Sequence, residues 1–189
     1  MQSDIEIFPI FPSSFCTIML PEMVAKFWEE ETPNIKFFLP DEDASVWQTE
    51  RDVLDNYLEM KELFRQIAED CLKELGYNQK FINKLFIESA WFNVGKKGDS
   101  LIKHIHPGSL LSGAFYLSCD SEEDQILFFG DDDMILPPQN FNDLSAKYAA
   151  YKCIPGSILL FKSNINHCTN SQKSNEKITI SFNLNYNKN

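Results

Sequence analysis

Residues Lys177–Tyr186, KITISFNLNY, decide the fold because their side chains alternate between polar and apolar. Successive side chains of a β-strand point to opposite faces, so this strand would have one wholly polar face. Such a face is found either on an edge strand wetted by solvent or on the wall of a pocket, and the pattern leaves both open. The polar residues are Lys177, Thr179, Ser181 and Asn183, and the apolar ones are Ile178, Ile180, Phe182 and Leu184.

Similar short runs, separated by turn residues, fill the second half of the chain. They predict seven or eight strands arranged as a sandwich or jelly roll, whose two sheets close over a central cavity. The other runs are LFIESAWFNV (85–94), SLIKHIH (100–106), LLSGAFYLS (110–118), QILFF (125–129), YKCI (151–154) and SILLFKS (157–163).

The first half of the chain favours helices. Residues 21–31, PEMVAKFWEEE, have proline in the first turn and an apolar face, which predicts a short helix. Apolar residues spaced by three and four over 50–75, followed by Gly76, predict a longer amphipathic helix. We therefore expect one domain over residues 1–189, with 1–84 as mostly helical support and 85–189 as the strand-rich core that carries the site.

Composition limits the partners of the protein. The net charge of -11 disfavours a nucleic-acid or anionic-membrane surface, because such partners attract basic patches. No apolar run is long enough to span a membrane and the N-terminus is acidic, so we expect a cytoplasmic protein. The five cysteines are scattered without a CxxC pair, which predicts reduced thiols.

Only three histidines occur in the chain, and two of them, His104 and His106, are separated by a single residue. If LIKHIH is a strand, both imidazoles share one face, and a jelly roll can bring His167 beside them. Imidazole is a common ligand of zinc, iron and copper, and three protein ligands leave coordination positions open for substrate or oxygen. Ordinary surface or core histidines are the alternative for an isolated HxH.

Four motifs in order resemble those of small bacterial and phage oxygenases that depend on Fe(II) and 2-oxoglutarate. They are WFNV (91–94), HIHPGSLLSGAFYL (104–117), GSILLFKSNINH (156–167) and KITISFN (177–183). The resemblance covers roughly residues 85–185, and more weakly IFPIFPSSF (7–15). It implies a mainly β fold with helical cover, in which N-terminal helices precede a double-stranded β-helix, the cupin-like jelly roll. It also implies Fe(II) as cofactor and 2-oxoglutarate as co-substrate.

The resemblance assigns His104, His106 and His167 as the metal ligands. His106 stands where most of the superfamily has Asp or Glu, so the site is one negative charge short. Lys177 stands where the family usually has the arginine that binds the far carboxylate of 2-oxoglutarate, and lysine keeps that charge but loses the bidentate fork.

Three further residues are candidates for binding the co-substrate. Thr179 matches the serine of the family's RxS pattern. Tyr116 matches a tyrosine that reaches the same carboxylate in related prolyl hydroxylases, and its alternative is a core aromatic. Asn93 lies on the strand LFIESAWFNV, where its amide either faces the co-substrate or closes a turn at the strand end.

The resemblance implies a dioxygenase that hydroxylates its substrate and releases succinate and CO₂. A three-histidine dioxygenase that does not use 2-oxoglutarate and a jelly-roll binding module without catalysis are the alternatives. We expect a small-molecule or peptide substrate, no nucleic acid and no membrane, and a homodimer is compatible with the sequence. The acidic segment GDDDMILPPQNFND (130–143) is either a rim loop that favours a cationic or peptide substrate or simply a solvated loop.

Overall fold

The computed structural model describes residues 14–40, 42, 44–130 and 148–187. Its helices are α1 (Glu22–Glu31), α2 (Leu58–Glu74) and the single-turn α3 (Gln79–Ile82), with 3₁₀ turns at Thr32–Asn34 and Val53–Asn56. Its strands are β1 (Phe15–Met19), β2 (Trp47–Gln48), β3 (Leu85–Lys96), β4 (Leu111–Cys119), β5 (Gln125–Phe129), β6 (Tyr148–Lys152), β7 (Ser157–Lys162), β8 (Asn166–Thr169) and β9 (Glu176–Tyr186).

The strands form two antiparallel sheets that face one another. The major sheet has the order β1-β7-β4-β9-β3-β2, and the minor sheet has the order β6-β5-β8. Aromatic packing joins them, since the ring centroids of Phe128 on β5 and Phe161 on β7 lie 4.9 Å apart. Two facing sheets with helices on one side form the predicted double-stranded β-helix, which confirms the fold class.

Strand β9 lies in the middle of the major sheet, hydrogen-bonded to β4 on one side and β3 on the other. The edge-strand interpretation of its polar face is therefore wrong. Its apolar face packs on the helices, and the ring of Phe182 lies 5.1 Å from that of Phe64 on α2. The ring of Phe182 also lies over Gly113 of β4, where any Cβ would overlap it.

The helices cover the face of the major sheet that is turned away from the minor sheet. Helix α1 buries Val24 and Trp28, and α2 buries an apolar stripe that includes Phe64 and Leu72. Gly76, with a φ of 79°, follows α2 in the left-handed conformation that commonly ends a helix. No helix in the described ranges is long and apolar enough to cross a bilayer.

The predicted long helix over 50–75 was wrong in its first turns. Arg51 accepts a backbone hydrogen bond from Ala90 of β3 at 2.8 Å, and Asp52 forms a parallel bridge with Ala90. This pairing ties residues 51 and 52 to the sheet outside any α-helix, and a 3₁₀ turn then leads into α2 at Leu58. The chain thus gains a contact with the sheet in place of two helical turns.

The predicted strand SLIKHIH also does not form. Residues 100–110 make an irregular connection whose pairing is limited to an isolated bridge between His104 and His167. Strands β1, β2 and β8 were not predicted, because they are short and carry no regular polar alternation. All five cysteines lie in the described ranges and are free thiols, as expected.

Candidate metal centre and its cavity

A cavity of about 710 Å³ lies between the polar face of the major sheet and the connection that carries His104 and His106. The polar residues of β9 form one wall, which supports the pocket interpretation of the alternating pattern. The segment GDDDMILPPQNFND, interpreted as either a rim loop or a solvated loop, falls outside the described residues beyond Gly130. The segment IFPIFPSSF falls outside them up to residue 13.

The three histidines converge at one end of this cavity. One ligand atom from each of His104, His106 and His167 can be chosen so that all lie within 4.8 Å of one another. The backbone brings them together, because His104 and His167 exchange N–H···O bonds of 2.9 and 3.0 Å. His106 is fixed in turn by a backbone hydrogen bond of 2.9 Å to Ser163.

Each of the three imidazoles is oriented by a hydrogen bond at Nδ1. His104 Nδ1 donates to the carbonyl of Ile102 at 2.7 Å, and His167 Nδ1 donates to that of Ile165 at 2.9 Å. His106 Nδ1 donates to the side-chain oxygen of Asn183 at 2.6 Å. Because all three partners are carbonyl-type acceptors, each ring carries its proton on Nδ1 and presents a lone pair at Nε2.

These lone pairs fit a metal cation. His104 Nε2 and His106 Nε2 lie 3.2 Å apart, and neither can donate a hydrogen bond to the other in the tautomers that Nδ1 imposes. A cation between them removes this repulsion. Burial, together with the neighbouring histidines, lowers the pKa of His167 to about 4, so the ring stays in the neutral form that binds metal.

Lys177 places a buried cation in the same cavity. It is 8% exposed, and its Nζ has no hydrogen-bond partner among the described residues. A buried ammonium without a partner is costly, which indicates a site built to receive an anion. The nearest carboxylate oxygen is Asp124 Oδ2 at 3.9 Å.

Asp124 is fully buried and already well bonded. Its carboxylate accepts from the backbone N–H of Lys173 at 2.6 Å, from the hydroxyl of Ser174, and from the thiol of Cys119 at 3.5 Å. Burial by itself raises the pKa of Asp124, but these hydrogen bonds and the charge of Lys177 outweigh it and lower the pKa. Asp124 is therefore ionised and attracts Lys177. At 3.9 Å it is too far to accept a hydrogen bond, so the N–H groups of the Lys177 ammonium remain available to a ligand.

Asn93, Thr179 and Tyr116 form one row across three neighbouring strands, since Thr179 pairs with both of the others. All three line the cavity. Burial raises the pKa of Tyr116 well above its usual value, with Cys153 beside it, so the phenol stays neutral.

The amide of Asn93 lies within β3 and does not close a turn. Its Oδ1 accepts from Gln48 Nε2 at 2.8 Å and from Trp91 Nε1 at 3.2 Å. Its Nδ2 donates to Ser181 at 2.8 Å. One N–H of the amide is left for another acceptor.

Sequence reasoning placed the three histidines and Lys177 but gave no role to Arg51, Trp91, Asp124 or Asn183, which the fold brings to or behind the cavity. For Asn183 a signal existed, since it lies on the polar face of β9. Asp124 and Lys177 are too far apart in sequence for any local pattern to connect them.

A double-stranded β-helix with three convergent imidazoles and a buried cation defines a class, the cupin-like metal oxygenases. Within it, the family described as "Putative 2OG-Fe(II) oxygenase" matches residues 89–183, half of the 189-residue chain. The chain belongs to this family of Fe(II)- and 2-oxoglutarate-dependent oxygenases, which confirms the resemblance found in the sequence. No curated protein matches the chain by sequence.

Solved structures of low sequence identity share the fold. HygX from Streptomyces hygroscopicus, solved with nickel, 2-oxoglutarate and hygromycin B, is 11% identical, covers 93% of this chain and 84% of its own, and has a TM-score of 0.65. A Pseudomonas putida prolyl-4-hydroxylase is 13% identical over 93% of this chain and 94% of its own, with a TM-score of 0.61. A Trichoplax adhaerens prolyl hydroxylase, solved with a peptide of hypoxia inducible factor, is 12% identical over 90% and 82%, with a TM-score of 0.62.

Proposed function

We propose that this protein hydroxylates a substrate with consumption of 2-oxoglutarate and O₂ and release of succinate and CO₂. The observation that carries the proposal is the cluster of three histidines whose ligand atoms lie within 4.8 Å of one another, in a cavity that also holds the buried ammonium of Lys177, which has no hydrogen-bond partner among the described residues. The lone pairs suit a metal, and the ammonium suits the far carboxylate of a 2-oxo diacid.

In the proposed site, His104, His106 and His167 hold the iron. When bound, Fe(II) would activate O₂ as the oxidant, with two of the four electrons coming from 2-oxoglutarate and two from the substrate. Lys177 attracts the far carboxylate, and the Thr179 hydroxyl on the same strand face offers a further donor to it. His167, Lys177 and Thr179 are buried, and shielding from bulk water strengthens their electrostatic contacts.

His106 takes the position usually given to a carboxylate. Its neutral ring adds no negative charge, and Asn183 holds that ring through Nδ1. An amide oxygen polarises an imidazole less than a carboxylate does, so we expect the metal to bind more weakly than in a site with Asp or Glu. We expect His106→Asp, which restores the charge, to keep the metal, and His106→Ala to lose it.

The cavity also bears on the two alternatives. A three-histidine dioxygenase that does not use 2-oxoglutarate has no need of a buried lysine whose N–H donors find no acceptor among the described residues, so Lys177 favours the 2-oxoglutarate enzyme. A binding module that has lost catalysis has no need of three imidazoles each oriented at Nδ1, so the triad favours a working metal site.

Anaerobic titration tests the proposal. Protein loaded with Fe(II) is titrated with 2-oxoglutarate, and we expect heat of binding and a visible charge-transfer band. His167→Ala should show neither, and Lys97→Ala, which removes an exposed lysine outside the cavity lining, should show both. The absence of both signals from the wild-type protein would refute the proposal.

A second measurement separates the two enzymes. Once a substrate is found by screening for stimulated O₂ consumption, Lys177→Ala should lose most of that consumption at low 2-oxoglutarate. Unchanged O₂ consumption, with no succinate formed, would instead support the dioxygenase that does not use 2-oxoglutarate.

A further inference from the structure

The cavity wall carries more positive than negative charge, although the protein as a whole has a net charge of -11. Among the described residues that line the cavity, the charged ones besides the histidines are Arg51, Asp99 and Lys177. The carboxylate of Asp99 is engaged in its own turn, where it accepts from the backbone N–H of Lys96 at 2.7 Å. Lys177 is assigned above to the co-substrate, which leaves Arg51 as the charged residue of the cavity wall without a proposed role.

Arg51 is an exposed residue on the cavity lining, and it has no carboxylate partner in the part of the chain that the structure describes. The other arginine, Arg65, shows the usual arrangement on a helix surface, with ion pairs to Glu62 and Glu69. The guanidinium carbon of Arg51 lies instead over the ring of Trp91, 3.9 Å from its centroid. Stacking on an aromatic face leaves the N–H donors at the edge of the guanidinium free to bind a ligand.

The platform beneath Arg51 is fixed by hydrogen bonds. Trp91 Nε1 donates to Asn93 at 3.2 Å, and the carbonyl of Arg51 accepts from Ala90 at 2.8 Å. The ring of Trp91 and the backbone of Arg51 are thus both tied to β3. The guanidinium itself is held by its stacking on this fixed ring, which reduces the conformational entropy it loses on binding an anion.

Arg51 is also close to the metal centre. The ring centroid of Trp91 lies 5.8 Å from that of His106. A group bound at Arg51 would therefore lie beside the imidazoles, where a substrate must lie.

We propose that Arg51, stacked on Trp91, determines specificity by binding a carboxylate or phosphate group of the primary substrate. This inference rests on the proposed function of the cavity, in which Lys177 holds the co-substrate and Arg51 is left for the molecule to be oxidised. It selects an anionic substrate, and it agrees with the solvated-loop interpretation of the acidic segment 130–143 better than with a rim loop that favours a cationic substrate.

Matched probes test this assignment. Protein saturated with Fe(II) and 2-oxoglutarate is titrated anaerobically with phenylacetate and with phenylacetamide, which has nearly the same shape but no charge. We expect phenylacetate to bind at least about tenfold more tightly in calorimetry, a ratio typical of one charge-assisted pair. Arg51→Gln should remove the difference between the probes, and Arg51→Lys, which keeps the charge without the fork, should retain part of it.

Two controls separate this role from others. Lys97→Gln removes one exposed positive charge outside the cavity lining and should leave the preference for phenylacetate unchanged. Arg51→Gln should keep the melting temperature and should change the dissociation constant of 2-oxoglutarate by less than about twofold, since a residue that binds only substrate does not touch the co-substrate.

Three results would overturn the proposal. They are equal affinity of the wild-type protein for the two probes, an unchanged preference in Arg51→Gln, and a large loss of 2-oxoglutarate binding in Arg51→Gln. The last would make Arg51 the anchor of the co-substrate. Failure of the proposed function looks different, because 2-oxoglutarate would then give no signal before any probe is added.

Discussion

The two faces of β9 have different roles, one in the core and one in the cavity. One face, with Ile180, Phe182 and Leu184, is fully buried against the helices and stabilises the fold. The other face, with Lys177 and Asn183, lines the cavity and reaches the candidate metal centre. The strand lies at the centre of the major sheet, so both faces are covered, one by apolar side chains and one by the cavity and its loops.

Alternate residues of β9 therefore serve different roles, one set in stability and the other in function. A substitution on the apolar face should reduce the free energy of unfolding and leave ligand affinity intact in the folded protein. A substitution on the polar face should reduce ligand affinity and leave the free energy of unfolding nearly unchanged. The following predictions test that separation, beginning with the largest expected effect.

Phe182→Ala should reduce the free energy of unfolding by about 3–5 kcal/mol, because it leaves a cavity beside Phe64 and over Gly113. Urea denaturation measures the loss, and Fe(II) affinity should stay unchanged at temperatures where the variant is folded. Phe81→Ala, at a phenylalanine that is 54% exposed, is the control and should cost much less. Equal losses in the two variants would show that the apolar face of β9 is not the main support.

Asn183→Ala should weaken metal binding by about 10- to 100-fold, since His106 loses the acceptor that fixes its ring. Asn183→Asp keeps an oxygen at this place and should retain the affinity. Competition with a chelator measures both. The two variants would bind metal equally well if the hydrogen bond to His106 had no effect.

Lys177→Met should raise the dissociation constant of 2-oxoglutarate by about tenfold or more, because the carboxylate loses its cation. Its melting temperature should be unchanged or higher, since a buried ammonium that lacks a hydrogen-bond partner in the described part of the chain is replaced by an apolar chain of similar length. Calorimetry and thermal melting measure the two effects. A clear loss of stability would instead show that Lys177 mainly neutralises Asp124.

Thr179→Val should have the smallest effect, a weakening of 2-oxoglutarate binding by about 0.5–1.5 kcal/mol for the loss of one neutral hydrogen bond. The shape is conserved, so the urea midpoint should hardly move. Thr179→Ser, which keeps the hydroxyl, should bind as the wild type does. An unchanged 2-oxoglutarate affinity in Thr179→Val would show that the Thr179 hydroxyl does not bind the co-substrate carboxylate.

Sequence alone predicts the parts of the fold that have a regular period. The alternation in KITISFNLNY predicted β9 and its two faces, and QILFF predicted the bounds of β5. Helix α2 was placed too early at its N-terminus because Arg51 and Asp52 pair with β3, a contact between residues about 40 positions apart. Strand β1 was missed because its five residues gain their stability from pairing with β7, far along the chain.

The candidate site was predicted in part, because sequence motifs indicate some of its residues but not the contacts between distant segments. Motifs of known order pointed to the histidines and Lys177, whose roles stay predictions until metal and 2-oxoglutarate binding are measured. The histidines meet, although LIKHIH is not a strand, because His104 and His167 pair through their backbones. Arg51 lies in the half of the chain for which only support was predicted, and nothing local to it indicates a cavity.

The backbone bridge between His104 and His167 has a consequence for how the protein acquires its metal. The hydrogen bonds that bring the imidazoles together involve no ion, so the chain can fold first and be loaded afterwards. Three neutral nitrogen donors follow the Irving–Williams order, in which nickel, copper and zinc bind more tightly than Fe(II). Supply, more than affinity, would then decide which ion the folded protein carries, and purification on a nickel resin would compete with the iron it needs.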